Sequence, residues 1–243
     1  MASTLFTNAR IVDGTAPEAG APVSVLVEGG TIREVGKAVT SAKAKVVDLK
    51  GKTLMPGLID AHVHVVAGVA DLGRNAQLPD SLVTARSFVI MREMLMRGFT
   101  TVRDVGGADF GLKQATEEGH FPTPRLVISG KALSQTGGHS DPRDRSETRP
   151  LYTGRLGQIG QLCDGVDAVR LAAREQLRAG ATFVKIMANG GCASPTDPIH
   201  FLGFGREELL AAVEEAKNAG TYVSAHLYTA QAIQRAVECG VHS

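Results

Sequence analysis

The chain has no tryptophan and only three cysteines, and its charge is close to balanced. Cys163, Cys192 and Cys239 are odd in number and scattered, which fits neither a disulfide framework nor a Cys-x-x-Cys zinc site and points to a reducing compartment. A net charge of +1 over 243 residues leaves no electrostatic footprint for nucleic acid or an anionic membrane. No uninterrupted apolar run approaches the ~18 residues that a membrane span needs. The opening Met1-Ala-Ser-Thr-Leu-Phe-Thr7 lacks the basic and apolar regions of a signal peptide. No Gly-x-Gly-x-x-Gly opens a helix, so a nucleotide-binding open sheet lacks its phosphate fingerprint. Together these absences predict a soluble, cytoplasmic globular protein with no nucleic-acid or membrane partner.

What is present falls into two regimes. Up to about Met55 the pattern is of short strands and turns, with Asp13-Gly14, Gly29-Gly30 and Lys50-Gly51 as turn signals. That spacing predicts a small antiparallel sheet over residues 1–56, ended by the stiff Met55-Pro56-Gly57. From residue 57 to residue 243 apolar strands alternate with helical periodicity. Strands are predicted over 58–64, 99–104, 125–129, 183–187 and 222–226, and helices over 82–97, 110–118, 166–179, 206–219 and 230–239. A polar stretch from Gly130 to about Asp164 reads as one long loop, and Val241 as the start of a further strand. Near-continuous apolar strands between helices imply an α/β class with a buried parallel sheet. A closed (β/α)8 TIM-type barrel needs eight strand–helix units and about 250 residues. Five units and the first residues of a sixth are present, so the expectation is part of such a barrel in a C-terminally truncated chain, and the 243 residues alone are expected to be poorly soluble and inactive.

Three of these strands end in polar residues. Leu58-Ile-Asp-Ala-His-Val-His64 closes with two histidines two positions apart, which places both imidazoles on one face of a strand. Lys185 interrupts the apolar Phe183-Val-Lys-Ile-Met187, and His226 ends Thr221-Tyr-Val-Ser-Ala-His226. In a parallel barrel the strand C-terminal ends face the active site. Imidazoles suit zinc and similar divalent ions. A lysine ligates poorly as an ammonium. Burial that lowers its pKa would let the amine take up carbon dioxide and become a carbamate, in effect a carboxylate able to bridge two metals about 3.5–4 Å apart. Each residue alone has a structural explanation: a lone strand-end histidine is more often hydrogen-bonded than ligating, and a lysine can snorkel from a rim. The combination on three strands is what points to a divalent-metal hydrolase. Asp104, before Gly106-Gly107, reads as a loop-capping carboxylate, with support of the site as its other role. His139, in the loop segment Gly137-Gly-His-Ser-Asp141, and Tyr228, two residues past His226, are candidate substrate contacts. His120 reads as a solvated turn residue, and His200 and His242 are left unassigned.

The motifs Phe6-Thr-Asn-Ala-Arg-Ile-Val-Asp-Gly14 and Leu54-Met-Pro-Gly-Leu-Ile-Asp-Ala-His-Val-His64 resemble the amidohydrolase superfamily over essentially the whole chain. Val184-Lys-Ile-Met-Ala-Asn-Gly-Gly191 with Ser194-Pro-Thr-Asp-Pro198 is similar to its imidazolonepropionase-like branch, which includes prolidase-like (Xaa-Pro) and Xaa-Arg/Lys dipeptidases. The resemblance implies a (β/α)8 barrel beside a small β-sandwich built from both chain ends. It implies two zinc ions bridged by carboxylated Lys185, with His62 and His64 on one ion and His226 on the other. His139 and Tyr228 become substrate-binding residues. A further histidine ligand and a strand-end Asp acting as general acid/base are expected beyond Ser243. The implied activity is hydrolysis of an amide C–N bond in a dipeptide or N-acyl amino acid by metal-activated hydroxide. The alternatives are a cyclic amide or imidazolone ring hydrolase and, from another class, a non-catalytic fragment that binds metal without turnover. A homo-oligomer of the full-length protein is left open.

Overall fold

The computed structural model describes residues 3–192, 194 and 196–243. Two compact units divide it, Met1–Gly57 and Leu58–Ser243. In the first, β1 (Ser3–Ile11), β2 (Val23–Glu28), β3 (Thr31–Gly36) and β4 (Lys45–Asp48) form a sheet in the order β3-β2-β1-β4, and β5 (Thr53–Leu54) also pairs with β1. The β1/β2 and β2/β3 pairs are antiparallel, but β4 and β5 both run parallel to β1. The sheet is therefore mixed, not antiparallel as the turn spacing predicts. The cause is local. Asn8, at φ 55°, bulges β1 between Phe6 and Ala9, and Gly51 donates its N–H to the Asn8 carbonyl at 2.9 Å. Lys50-Gly51 thus carries the chain around the bulge from β4 to β5 in the same direction instead of reversing it. Leu5, Leu26 and Val39 are the small core of this unit.

The second unit is part of a (β/α) barrel. Strands β6 (Leu58–Val63), β7 (Phe99–Asp104) and β8 (Arg125–Ile128) form one parallel sheet in that order. Strands β9 (Ala132–Ser134), β10 (Gly160–Leu162), β11 (Val184–Met187) and β12 (Val223–His226) form a second, ordered β10-β9-β11-β12 and also parallel. The Thr182 N–H donates to the Ile128 carbonyl at 2.8 Å, linking the end of β8 to the approach to β11. The helices are α1 (Leu72–Gln77), α2 (Asp80–Met96), α3 (Phe110–Glu117), α4 (Val166–Arg178), α5 (Arg206–Asn218) and α6 (Ala230–Glu238). Their starts follow capping chemistry: Asp109 accepts from the Leu112 N–H and Thr229 from the Ala232 N–H, satisfying donors that a first turn leaves open. None of the helices among the described residues is long and apolar enough to cross a membrane.

The stretch 130–164 is not one loop. It contains β9 and β10, each three residues long, too short for a period-2 pattern to register, yet Ala132, Leu133 and Ser134 are all buried. Residues 241–243 carry no strand assignment, although Ala225 donates to the Ser243 carbonyl and His242 to that of Val223, beside β12. Two apolar clusters hold the unit. Met91, Val102, Leu126 and Ile128 pack under β6–β8, and Leu133, Ile186, Phe204, Leu209 and Val223 pack under β9–β12. Across the surface of the second cluster, Glu215 of α5 accepts from Arg170 and Arg174 of α4 at 2.8–2.9 Å.

Candidate metal and substrate site

His62 is the penultimate residue of β6 and His64 lies one residue past its end; their rings meet edge to face, centroids 5.6 Å apart. The His64 Nδ1 lies 2.9 Å from the Gly106 carbonyl. A carbonyl only accepts, so the proton sits on Nδ1 and the Nε2 lone pair is free. That carbonyl is held in place by Asp104, which is fully buried at the end of β7. Its carboxylate accepts from the N–H groups of Val65 (2.7 Å), Gly106 (3.0 Å) and Ala108 (3.2 Å). Burial pushes the Asp104 carboxyl up to about 6, against the opposing pull of His64 and the three N–H donors. Asp104 is thus the loop cap predicted, and through Gly106 it also sets the tautomer of His64. The turn depends on glycine at Gly107, where φ is 112° and a Cβ would lie 2.3 Å from Val66 Cγ2.

Lys185 is 1% exposed, on a strand whose four residues are all buried. Burial, with Arg103 adding like charge, pushes its ammonium down to about 7. Arg103 is itself fixed: Nε donates to the Ala61 carbonyl at 2.7 Å, Nη1 donates to the Tyr222 hydroxyl at 3.1 Å, and the guanidinium lies 5.2 Å from the Phe183 ring centroid. His226, at the end of β12, is pushed down to about 3 by burial and then by the charges of His139 and Lys185. Its Nε2 is buried without a hydrogen-bond partner among the described residues. His62 is pushed down to about 4 by burial, then by Lys185 and His64. The charge of Lys185 is felt by His62, by His226 and by His139, so both imidazole groups lie around the same amine.

His139 follows β9 on its loop and stacks on His226, ring centroids 4.0 Å apart and planes 17° from parallel. The Tyr228 ring meets His226 edge-on at 5.0 Å and is 52% exposed. The predicted ligands and substrate contacts thus gather in one place, whereas His120, His200 and His242 stay apart: His120 bonds Glu118, His200 lies against Phe201, and His242 tilts against Tyr222. All three cysteines are free. Among the described residues no three His, Cys, Asp or Glu side chains converge as a group that could hold a metal ion; the cohesion of this cluster runs through an amine. The donor set nonetheless fits a divalent cation, since it offers His62 and His226 held neutral chiefly by burial, the latter with an orphaned ring nitrogen, and a lysine depressed towards neutrality.

Sequence reasoning assigned no role to two residues that organise the cluster. Asn189, 1% exposed, donates to the carbonyls of Ile199 and Phe201 and accepts from the N–H groups of Tyr228 and Thr229, tying the loop after β11 to the loop after β12. Asp197, 2% exposed, faces His139. Both lie within the motifs 184–191 and 194–198. The available signal was an amide and a carboxylate in a Gly/Pro-rich loop directly after the lysine strand.

Residues 53–242 match the amidohydrolase family, and the chain belongs to it. It is 36% identical over 207 residues to the ochratoxinase of Aspergillus niger, an alignment covering 78% of this chain and 42% of that protein. It superposes on the crystal structure of a prolidase complexed with N-methylphosphonate-L-proline with a TM-score of 0.95 and 48% identity, covering 99% of this chain and 60% of that one. A Xaa-Pro dipeptidase with methionine bound in its active site gives 0.83 and 28%, with 99% and 60% coverage. The chain therefore spans less than two thirds of the length of each of these relatives.

Proposed function

We propose that the protein is a metal-dependent hydrolase of an amide C–N bond, acting on a dipeptide or N-acyl amino acid. Residues 57–243 supply the hydrolase barrel, and residues 1–56 supply part of a small β-sandwich. The observation that carries this reading is a buried, near-neutral Lys185 among imidazoles, one of which, His226, has its Nε2 buried without a hydrogen-bond partner among the described residues. His62, His64, His226 and Lys185 would hold zinc, two ions if Lys185 is carboxylated. A divalent cation there supplies Lewis-acid polarisation of a carbonyl and acidifies a water. The residues of the chain do the rest. The neutral Lys185 amine attacks carbon dioxide: its nitrogen lone pair forms the N–C bond, one C=O π pair moves to oxygen, and the nitrogen proton leaves to solvent. A neutral amine is thereby exchanged for an anionic oxygen donor. The Tyr228 hydroxyl donates a hydrogen bond to the substrate carbonyl or carboxylate, His139 accepts one from a substrate N–H, and the stack on His226 limits how far the His139 ring can turn.

The test is a metal titration. Chelator-treated protein is rebuilt with one and then two zinc equivalents and assayed on Xaa-Pro, Xaa-Arg and Xaa-Lys dipeptides, on N-acyl amino acids and on a cyclic amide. Dipeptide hydrolysis that saturates at two equivalents is expected. Saturation at one equivalent with activity only on a cyclic amide would overturn the substrate class, and zinc binding without turnover of any of these would favour the non-catalytic reading.

A further inference from the structure

We infer that Asp197 is a positioning residue for His139, fixing the imidazole so that its Nε2 is the nitrogen offered to substrate. The role of His139 in this inference rests on the hydrolase reading; the orientation of the ring does not. Three observations carry it. The His139 Nδ1 lies 3.3 Å from Asp197 Oδ2. A carboxylate only accepts, so Nδ1 holds the proton and Nε2 the lone pair. The ring is also gripped on its flanks: it stacks on His226, and a Cβ added to Gly191 would fall 2.0 Å from its Cε1 and 2.5 Å from its Nδ1. Only a residue without a side chain leaves room for the imidazole there. Finally, Asp197 is poorly provided for as a structural residue. Its side chain is 2% exposed, Oδ2 meets His139, and Oδ1 is buried with no hydrogen-bond partner among the described residues. Burying a carboxylate on so few partners is costly, and an asparagine would fill the same space without that cost. The charge is explained if its task is to hold a donor on one face of His139.

The arrangement also accounts for the Gly190-Gly191 pair. A Cβ on Gly190 would lie 2.0 Å from the Pro198 carbonyl oxygen, so the two glycines let the strand-end segment and the Asp197 segment close on each other, with the Gly191 N–H donating to the Asp197 carbonyl at 3.0 Å.

The experiment reads the His139 tautomer directly. Protein labelled with 15N at histidine, metal-free and at a pH above 7.5 where the ring is neutral, is examined by two-bond 1H–15N correlation, with His139 assigned from its absence in His139→Asn. The expected result is a single Nδ1–H tautomer in the unaltered protein and, in Asp197→Leu, ring-nitrogen shifts that move towards an average of both tautomers. Observing His139 as Nε2–H in the unaltered protein overturns the inference without any variant having to fold; so do unchanged shifts in a folded Asp197→Leu protein. On the metal-loaded protein, Asp197→Leu is expected to lower kcat/KM roughly ten- to a hundredfold, the usual cost of losing a histidine-orienting partner, with Asp197→Glu restoring part of it and zinc content unchanged. Because the tautomer is measured without metal or substrate, it can stand even where amide hydrolysis fails.

Discussion

Strands β6 and β11 both carry candidate metal ligands, yet β6 leaves Leu58 at 42% and Ile59 at 69% exposed whereas every residue of β11 is buried. The two strands prepare their ligands by different physics. On β11 desolvation does the work: Lys185 cannot hold its proton cheaply in that environment, and a near-neutral amine is the result. At β6 desolvation acts on His62 as well, but His64 is set by a hydrogen-bond relay running from three backbone N–H groups through Asp104 and Gly106. Lys185 is set by the packing of the core and His64 by a single buried carboxylate on the neighbouring strand. Substitutions that separate packing from relay test that division.

The largest effect is expected at Lys185. Lys185→Met keeps the volume and removes the amine, and should cost several kcal/mol of transition-state stabilisation, roughly a thousandfold in kcat/KM. Stability should move the other way. The folded value of Lys185, about 7, lies below its ordinary 10.5. Across that window the unfolded chain binds the additional proton, so Lys185 makes the metal-free protein more stable as pH rises; the contribution is complete above 10.5 and lost as pH falls through 7. Urea unfolding of metal-free protein at a series of pH values between 7 and 10 should show this slope in the native sequence and a shallower one in Lys185→Met, which should also be the more stable of the two at pH 7. Equal slopes would mean that Lys185 is not desolvated in the way its burial implies.

A smaller effect is expected from the relay. Asp104→Asn retains the shape but turns one acceptor oxygen into a donor facing backbone N–H groups, loosening the turn that presents the Gly106 carbonyl to His64. Zinc affinity, measured by competition with a chromogenic chelator, should fall about 10–100-fold while the affinity contributed by His226 and Lys185 is untouched. If affinity is unchanged and only the melting temperature drops, Asp104 is a loop cap and nothing more.

These same residues show where the sequence was readable and where it was not. His62 and His64 were legible because strand alternation ties sequence spacing directly to a shared face. Lys185 and His226 were legible because a polar residue in an apolar strand is costly and invites an explanation. Asp104 was half legible: a capping carboxylate before two glycines is a local signal, but its reach to Val65 and, through Gly106, to His64 crosses about forty residues of sequence, and only the β6/β7 register brings them together. Asn189 and Asp197 act on Tyr228 and His139 across 39 and 58 residues, distances over which no periodicity survives. β9 and β10 failed for the opposite reason, having too few residues to carry a period. The parallel course of β4 and β5 was hidden because Lys50-Gly51 reads as a turn in either direction, and the Asn8 bulge that decides between them has no sequence signature of its own.

The smallest effect concerns the comparison itself. Ile186 on β11 is fully buried, and Ile186→Ala should cost about 2–5 kcal/mol, the range for deleting a packed branched side chain. Ile59 on β6 is 69% exposed at the edge of its sheet, so Ile59→Ala should stay within about 0.5 kcal/mol in the 243-residue chain. Paired urea titrations at constant m-value measure both. A small cost at Ile59 would confirm that β6 presents His62 and His64 from a strand the core does not grip, so that the geometry of His64 depends on the Asp104 relay. A cost comparable to that of Ile186 would mean that something covers β6 in solution. In that case the contrast in exposure between the strands does not hold in solution, and burial as well as the relay would have to be weighed for what orients His64.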